Sequence, residues 1–463
     1  MTVPSPLRPA PAVLAVGPLA AWAVSAVLTG AGLLAGCSGI SVPPVNMAET
    51  GFGLQPQLPA PQHSLLPTVN IAPAVGWPAG LTPQAAPGTQ VKAFAEGLDH
   101  PRWLYVLPNG DVLVAESNAP TRPDDVPGLK GWVMRKIMGR AGADTPSANR
   151  ITLLRDVDGD GRVDQRAVLL SGLNSPFGMA LVGDWLYVAN TDAVLRFPYR
   201  RGDLQINQPG THVLALPAGA INHHWTKNLI ASADGRTLYI TVGSNSNVGE
   251  RGIAAEDGRA SIWVLDLASG AHRVFASGLR NPNGLAWAPA QGGAPAVLWA
   301  AVNERDELGD DLVPDYLTSV RDGAFYGWPN SYFGPHVDSR VQPLRPDLVA
   351  RATVPDYALG AHTASLGLAA AAGNQLPAVF ANGMFVGQHG SWNRRPHSGY
   401  KVIFVPFEGS RPTSAMPLDL LTGFLDADGQ ARGRPVGVAL DRQGAVLVAD
   451  DVGNKVWRVT AQH

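Results

Sequence analysis

GLDHPRWLYVLPNGDVLVAES, residues 97–117, opens on a turn at Gly97, runs into an apolar segment, crosses an Asn-Gly turn and leaves by a second apolar segment that ends in polar residues. Apolar runs on either side of Asn-Gly, Asp-Gly or Gln-Gly are hairpin signals, because those residues reach the positive φ that tight hairpin turns require. The same order recurs in GLNSPFGMALVGDWLYVANTD (172–192), HHWTKNLIASADGRTLYITVGS (223–244) and GLRNPNGLAWAPAQGGAPAVLWAAVNE (278–304). It appears again in TASLGLAAAAGNQLPAVFANGMFVGQHG (363–390) and GRPVGVALDRQGAVLVADD (433–451), making six copies. Further strand candidates at 151–154, 262–265 and 402–406 lie between copies.

Six self-similar hairpins with a common turn position predict an all-β, six-bladed β-propeller with four-stranded antiparallel blades, each copy forming the two inner strands of a blade. A β-sandwich would leave that common turn position a coincidence. Sharing roughly 370 residues among six blades gives about 60 each, above the ~40–50 of minimal repeats, so the surplus is assigned to loops. A radial ring also encloses a channel, and the starts of the repeats converge on one face of it.

Composition agrees with strands and turns: Gly 52 and Pro 40 are both high in a chain of 463 residues. A formal net charge of −2 with only 16% charged residues excludes a nucleic-acid surface, which needs a basic face. The N-terminus carries Arg8, an uncharged apolar run over 11–34 and then Leu34-Ala35-Gly36-Cys37-Ser38. This predicts a lipoprotein export signal over 1–36 and lipidation of Cys37, with an uncleaved membrane helix as the alternative. The protein is accordingly expected outside the cytoplasm, held by lipid and facing the periplasm, with the inner leaflet of the outer membrane favoured. Cys37 is the only cysteine, so no intrachain disulfide can form. Residues 37–90, rich in Pro, Ala, Gly and Gln, read as an extended, mobile tether, and 91–463 as the propeller.

Ionisable residues concentrate at the repeat starts and strand ends: Arg102, His223, His224, Arg280, His362, His389, Arg432 and Arg434. Together they predict a cationic funnel for a multiply anionic ligand, since guanidinium forks bind carboxylates in two-pronged fashion. Adjacent residues on a strand face opposite sides, so only one of His223 and His224 can face the channel. That one is either a general base or a hydrogen-bonded histidine of the wall.

The stretches DHPRWLYVLPNGDVLVAES, INHHWTKNLI, GLRNPNGLAW, YGWP (326–329) and GQHGSWNR together resemble the sorbosone dehydrogenase and PQQ-dependent pyranose dehydrogenase family, related to soluble quinoprotein glucose dehydrogenase. The resemblance runs over about 91–463. It implies a six-bladed propeller that holds pyrroloquinoline quinone (PQQ) on calcium at the channel mouth and oxidises aldose, pyranose or sorbosone-like sugars. PQQ carries three carboxylates, which Arg102, Lys227, His389, Arg432 and Arg434 would bind, with Trp392 near its ring system. His224 falls on the family's base, and His223 stands where the glucose enzyme has an acidic neighbour. The implied reaction has His224 take a proton from a sugar hydroxyl or aldehyde hydrate while hydride moves to PQQ. Where the glucose enzyme has an Arg-Asn pair, this chain has Gly243-Ser244-Asn245-Ser246-Asn247, so substrate identity does not transfer. Asn245 and Asn247 are candidates for sugar hydroxyls, or ordinary turn residues.

Several motifs invite over-reading. Asp156, Asp158, Asp160 and Asp164 alternate around glycines as calcium loops do, but Ala167 replaces the closing Glu of an EF-hand, so this is either a structural calcium loop or an empty hairpin. The acidic run 303–311 reads as a solvated loop, with cation binding at the channel mouth as the alternative, and with Asn303 and Glu304 nearest the centre. The basic, apolar stretch 128–140 reads as a lid, or as a contact for the membrane or an electron acceptor. With Cys37 alone there is no haem attachment motif, so electrons would leave through a separate acceptor, a cytochrome or the quinone pool. The competing readings are a calcium-dependent lactonase-type hydrolase and a non-catalytic propeller binding glycans or proteins.

Overall fold

The computed structural model describes residues 51–63, 68–120, 136, 138–288 and 296–462. Six antiparallel sheets with a four-strand core follow one another along the chain as the blades of a β-propeller. Blade 1 comprises Pro101–Val106, Val112–Glu116, Arg150–Arg155 and Gln165–Leu170, and blade 2 comprises Met179–Val182, Trp185–Ala189, Ala193–Pro198 and Thr211–Ala215. Blade 3 holds Leu229–Ala231, Thr237–Val242, Ser261–Asp266 and His272–Ser277, and blade 4 holds Asn281–Ala288, Val297–Asn303, Pro314–Ser319 and Tyr357–Ala361. Blade 5 is Ser365–Ala370, Gly383–Gln388, Lys401–Glu408 and Leu418–Thr422. Each of the six sequence repeats supplies the first two strands of one blade, and the three additional strand candidates are all third strands.

Blade 6 closes the ring. Its first three strands, Pro435–Leu440, Val446–Asp450 and Lys455–Ala461, come from the end of the chain, and its fourth is Thr89–Glu96, paired antiparallel with Lys455 opposite Glu96. The hydrogen-bonded ladder thus does the work of a covalent closure in a protein without a disulfide. Second strands are buried on both faces: Val112, Leu113, Val114 and Ala115 are all fully buried, which is why they read as continuous apolar runs rather than as an alternation.

First strands of successive blades touch around the ring, including blade 6 against blade 1. The contact is close enough to demand glycine at one repeat position, Gly178, Gly284, Gly367 and Gly437. A Cβ on Gly367 would strike the Val436 carbonyl, and one on Gly437 would come within 2.9 Å of the Arg102 carbonyl. Aromatic side chains fill the wedges farther out, as where Trp103 of blade 1 meets Phe177 at the entrance to blade 2 with centroids 4.8 Å apart.

One expectation fails. The described parts of the supposed tether are packed on the propeller: Phe52–Gly53 adds to the edge of blade 4, Gln84–Ala85 adds to the edge of blade 5, and Ala72 is fully buried. Composition alone counts what a segment can bury by itself, whereas this segment is fixed by backbone hydrogen bonds to loops far away in sequence. Cys37, the signal segment 1–36, the rest of the tether before 51 and residues 128–135 and 137 of the basic stretch lie outside the described residues. Among the described residues no helix is long and apolar enough to cross a membrane.

Candidate active site

In every blade the first strand starts at the end of the ring where the second strand finishes. Loops before first strands and after second strands therefore gather on one face, and all the cationic residues singled out at repeat starts lie there.

His224 sits on the loop entering blade 3. Its Nδ1 is 2.9 Å from the Ser244 carbonyl oxygen and 3.0 Å from Ser244 Oγ, while Ser244 Oγ donates to the Ser246 carbonyl at 2.7 Å. A carbonyl can only accept, so Nδ1 carries the proton and Nε2 keeps its lone pair. Among the described residues Nε2 has no hydrogen-bond partner. Burial, then the nearby Arg280 and His223, push His224 well below the usual imidazole range, so the ring is neutral at physiological pH. Gly243 makes the arrangement possible, because a Cβ there would collide with His224 Cβ and the Asn281 carboxamide. His223 stacks edge-on against His224 with centroids 4.7 Å apart.

A second cluster joins blades 1, 5 and 6. Asp451 Oδ2 accepts from Arg102 Nη1 at 2.5 Å and from His389 Nε2 at 2.8 Å, and His100 Nε2 stands 3.5 Å away. Burial alone would neutralise Asp451, but the imidazoles and Arg102 overcome it and hold the carboxylate ionised. His389 is driven by burial to about 4, despite Asp451. Arg434 lies 5.0 Å over the Tyr400 ring and donates to Tyr400 Oη at 3.0 Å. Among the described residues Arg102 Nε, Arg434 Nε and Asp451 Oδ1 are buried with no hydrogen-bond partner. Arg432, two residues before Arg434, is half-buried and has no ion pair among the described residues. Trp392 is half-buried in the loop between the second and third strands of blade 5.

Other predicted residues are differently employed. Lys227 is fully buried, with Nζ 3.3 Å from the His224 carbonyl and 3.2 Å from that of Trp225, so it props the His224 loop from behind. Asn245 is held by Glu256 and Ala255 through its backbone N–H and side-chain amide. Asn247 bridges Arg280 and Asp306, accepting from Arg280 Nη2 at 3.0 Å and from the Asp306 backbone N–H at 2.9 Å. Asp306 also takes Arg280 at 3.0 Å and Asn393 at 2.9 Å, with His362 at 3.4 Å. Those partners outweigh burial and keep Asp306 far below the usual carboxylate range.

The solvated-loop reading of 303–311 is therefore wrong for most of the run. Glu304 and Arg305 are buried, and Arg305 bonds Glu304, Asp338 and the carbonyls of Pro329 and Ser331, because the insertion in blade 4 folds back over it. Asp156, Asp158 and Asp164 bring carboxylate oxygens within 4.8 Å of one another, while Asp160 lies outside that group and caps the Arg162 N–H. Their loop joins the third and fourth strands of blade 1, at the end of the ring opposite His224.

Sequence reading overlooked Ser244 as the partner of His224, Asp451 as the hub of its cluster, and Arg259. The last ties Gly243 to Asn222 behind the His224 loop, and burial lowers it to about 10. A signal for Asp451 existed: a pair of carboxylates ends a fully apolar second strand in VLVADD.

The donor set suits a multiply anionic cofactor such as PQQ. Two guanidinium groups, those of Arg102 and Arg434, lie beside His389, each with a buried Nε–H that has no partner among the described residues, against a single firmly ionised Asp451.

The family described as TrAA12-like matches residues 148–314 and 349–462. The chain is 28% identical over 245 residues to an uncharacterized protein of Borreliella burgdorferi, covering 53% of this chain and 62% of that one. It is 27% identical over 291 residues to a pyrroloquinoline quinone-dependent pyranose dehydrogenase of Coprinopsis cinerea, covering 51% of this chain and 39% of that one. The matches thus span less than two thirds of the length of either relative. Among solved structures, the holo PQQ domain of the Coprinopsis cinerea pyranose dehydrogenase superposes with a TM-score of 0.65 at 20% identity, over 84% of this chain and 100% of that one. A Trichoderma reesei protein of Carbohydrate-Active Enzymes family AA12 gives 0.64 at 18% identity, over 87% and 100%. PQQ-bound aldose sugar dehydrogenase from Streptomyces coelicolor gives 0.51 at 18%, over 82% and 100%. At such identities the structural likeness speaks for the fold.

Proposed function

The chain belongs to the TrAA12-like family, and from that premise we propose that it is a PQQ-dependent oxidoreductase that oxidises aldose, pyranose or sorbosone-like sugars, with His224 as the base. The observation that carries this reading is a neutral imidazole, proton fixed on Nδ1 by Ser244, standing on the same face as a cluster of guanidinium groups with unspent donors. Arg102, Arg432 and Arg434 would hold the carboxylates of the cofactor, with His389 and Trp392 beside them. PQQ, when bound with calcium, supplies an electrophilic carbonyl that accepts hydride.

His224 takes the proton of a sugar hydroxyl on Nε2, and the positive charge that develops on the ring is met by the Ser244 carbonyl at Nδ1. A base held below the usual imidazole range is ready at acidic pH, so the acid limb of kcat/KM breaks below 6.5. The mouth carboxylates Asp306, Asp315, Asp450 and Asp451 are each engaged by cations, hydroxyls or backbone N–H groups. That engagement disfavours a lactonase-type centre, which needs carboxylates open to a metal. In the same proposal, lipid on Cys37 holds the enzyme to the membrane on the periplasmic side, where a cytochrome or the quinone pool takes the electrons.

The test is reconstitution of the purified full chain with calcium and PQQ and a panel of aldoses, pyranoses and sorbosone, followed by reduction of a dye. Sugar-dependent dye reduction that requires PQQ is expected. Absence of PQQ binding, or lactone hydrolysis without PQQ, would overturn the reading.

A further inference from the structure

The segment between Thr68 and Trp77 crosses the loops of blades 4, 5 and 6 on the face that carries His224. Thr68 Oγ1 donates to Asp310 at 2.7 Å in the blade 4 loop, and the Asn70 backbone N–H donates to the Trp392 carbonyl at 2.7 Å. Asn70 Nδ2 donates to the Arg394 carbonyl at 2.8 Å. The Ala72 carbonyl lies 3.4 Å from Arg434 Nη2, and the Val75 N–H donates to the Ala431 carbonyl at 2.9 Å. Three of these contacts fall on or next to residues assigned to the cofactor, namely Trp392, Arg432 and Arg434.

Trp77 ends the strap and packs against the core of blades 5 and 6. Its ring packs edge-on against Phe424 at 5.5 Å and Trp457 at 5.2 Å, and Nε1 donates to Asp450 Oδ2 at 2.6 Å. Asp450 is fully buried and has three further donors: Trp457 Nε1 at 3.0 Å, and the backbone N–H groups of Arg434 and Gly453, both at 2.8 Å. Room for the indole is built into the chain, since a Cβ on Gly433 would come within 2.6 Å of Trp77 Nε1 and one on Gly453 within 2.7 Å of Trp77 Cδ1. Asp450 therefore links Trp77 to the backbone of Arg434, and its neighbour Asp451 holds Arg102 and His389.

We infer that the strap from Thr68 to Trp77 is a wall of the cofactor site, and that Trp77 is a positioning residue that sets Asp450–Asp451, and through them Arg434, Arg102 and His389, for the cofactor. This inference rests on the PQQ reading above. A flexible export tether would have no reason to be threaded under these particular loops, whereas a wall of the site must touch each of them.

The experiment follows PQQ binding to the full chain in calcium buffer by fluorescence, and hydrogen exchange of strap amides with and without PQQ. In the unmodified protein, PQQ should slow exchange at Asn70 and Val75, whose N–H groups bond Trp392 and Ala431. Trp77→Phe keeps an aromatic ring and removes one donor from a buried carboxylate, so the PQQ Kd should rise roughly tenfold or more. If the unmodified protein binds PQQ while strap exchange is unchanged, or if folded Trp77→Phe binds PQQ with unaltered affinity, the strap inference falls and the functional reading stands. If the unmodified protein does not bind PQQ, both fall. The exchange measurement needs no variant, so a failure of Trp77→Phe to fold does not shelter the inference.

Discussion

Two buried arginine sites in this molecule look alike by burial and differ in their accounts of donors. Arg305, in blade 4, is fully buried and every nitrogen is engaged: Nε on Glu304, Nη1 on Pro329 and Asp338, Nη2 on Ser331. Arg434 and Arg102, at the junction of blades 6 and 1, are also buried, yet each leaves Nε without a partner among the described residues. An unpaired buried donor costs free energy, and a donor left over on the face of His224 is available to an anion. The comparison separates a structural knot, closed on itself, from a site with donors to spare for the anion proposed above.

The largest expected effect breaks the knot. Arg305→Met strands Glu304 in the interior and leaves Asp338 to Arg340 alone, and should cost about 3–5 kcal/mol by chemical denaturation, with PQQ affinity of the folded protein unchanged. Arg434→Met should do the opposite. It should weaken PQQ roughly 10- to 100-fold by direct titration while costing about 1 kcal/mol of stability, because its bonds to Tyr400 and Ala72 are few. A similar stability loss in both variants would erase the distinction.

A smaller effect concerns pH. Burial lowers His389 from 6.5 to about 4, so on acidification the unfolded chain takes up its proton first. Stability tied to neutral His389 is present above pH 6.5 and is lost as pH falls towards 4. His389→Gln should flatten that part of the stability profile, measured as denaturation midpoints at pH 7 and 4.5. The smallest effect is at Ser244→Ala, which leaves the backbone carbonyl on His224 Nδ1. Turnover should fall no more than about tenfold, the net worth of one hydroxyl hydrogen bond.

The six blades were legible because their signals are local: Asn109-Gly110 and Gln443-Gly444 turns with positive φ at glycine, next to second strands buried on both faces. The ring closure was not, since Thr89–Glu96 pairs with a strand more than three hundred residues away and reads weakly on its own. The same divide runs through the site. His224, Arg102, His389 and Arg434 stood out at repeat starts, where chain position alone gathers them. Asp451 as a hub, Asn247 as a bridge between Arg280 and Asp306, and Trp77 on Asp450 depend on which loops meet in space. The strap was misread for a further reason: its few apolar residues are spent one at a time on distant partners, which composition cannot register.

The central claim is that one face of this propeller divides the labour between cations that hold the cofactor and a neutral histidine that takes the proton. His224→Ala tests it most directly, with PQQ affinity and single-turnover sugar oxidation measured on the same preparation. The account predicts an unchanged PQQ Kd and a loss of roughly 10²–10⁴ in the rate of oxidation. Retained oxidation, or loss of PQQ binding in step with activity, would contradict it.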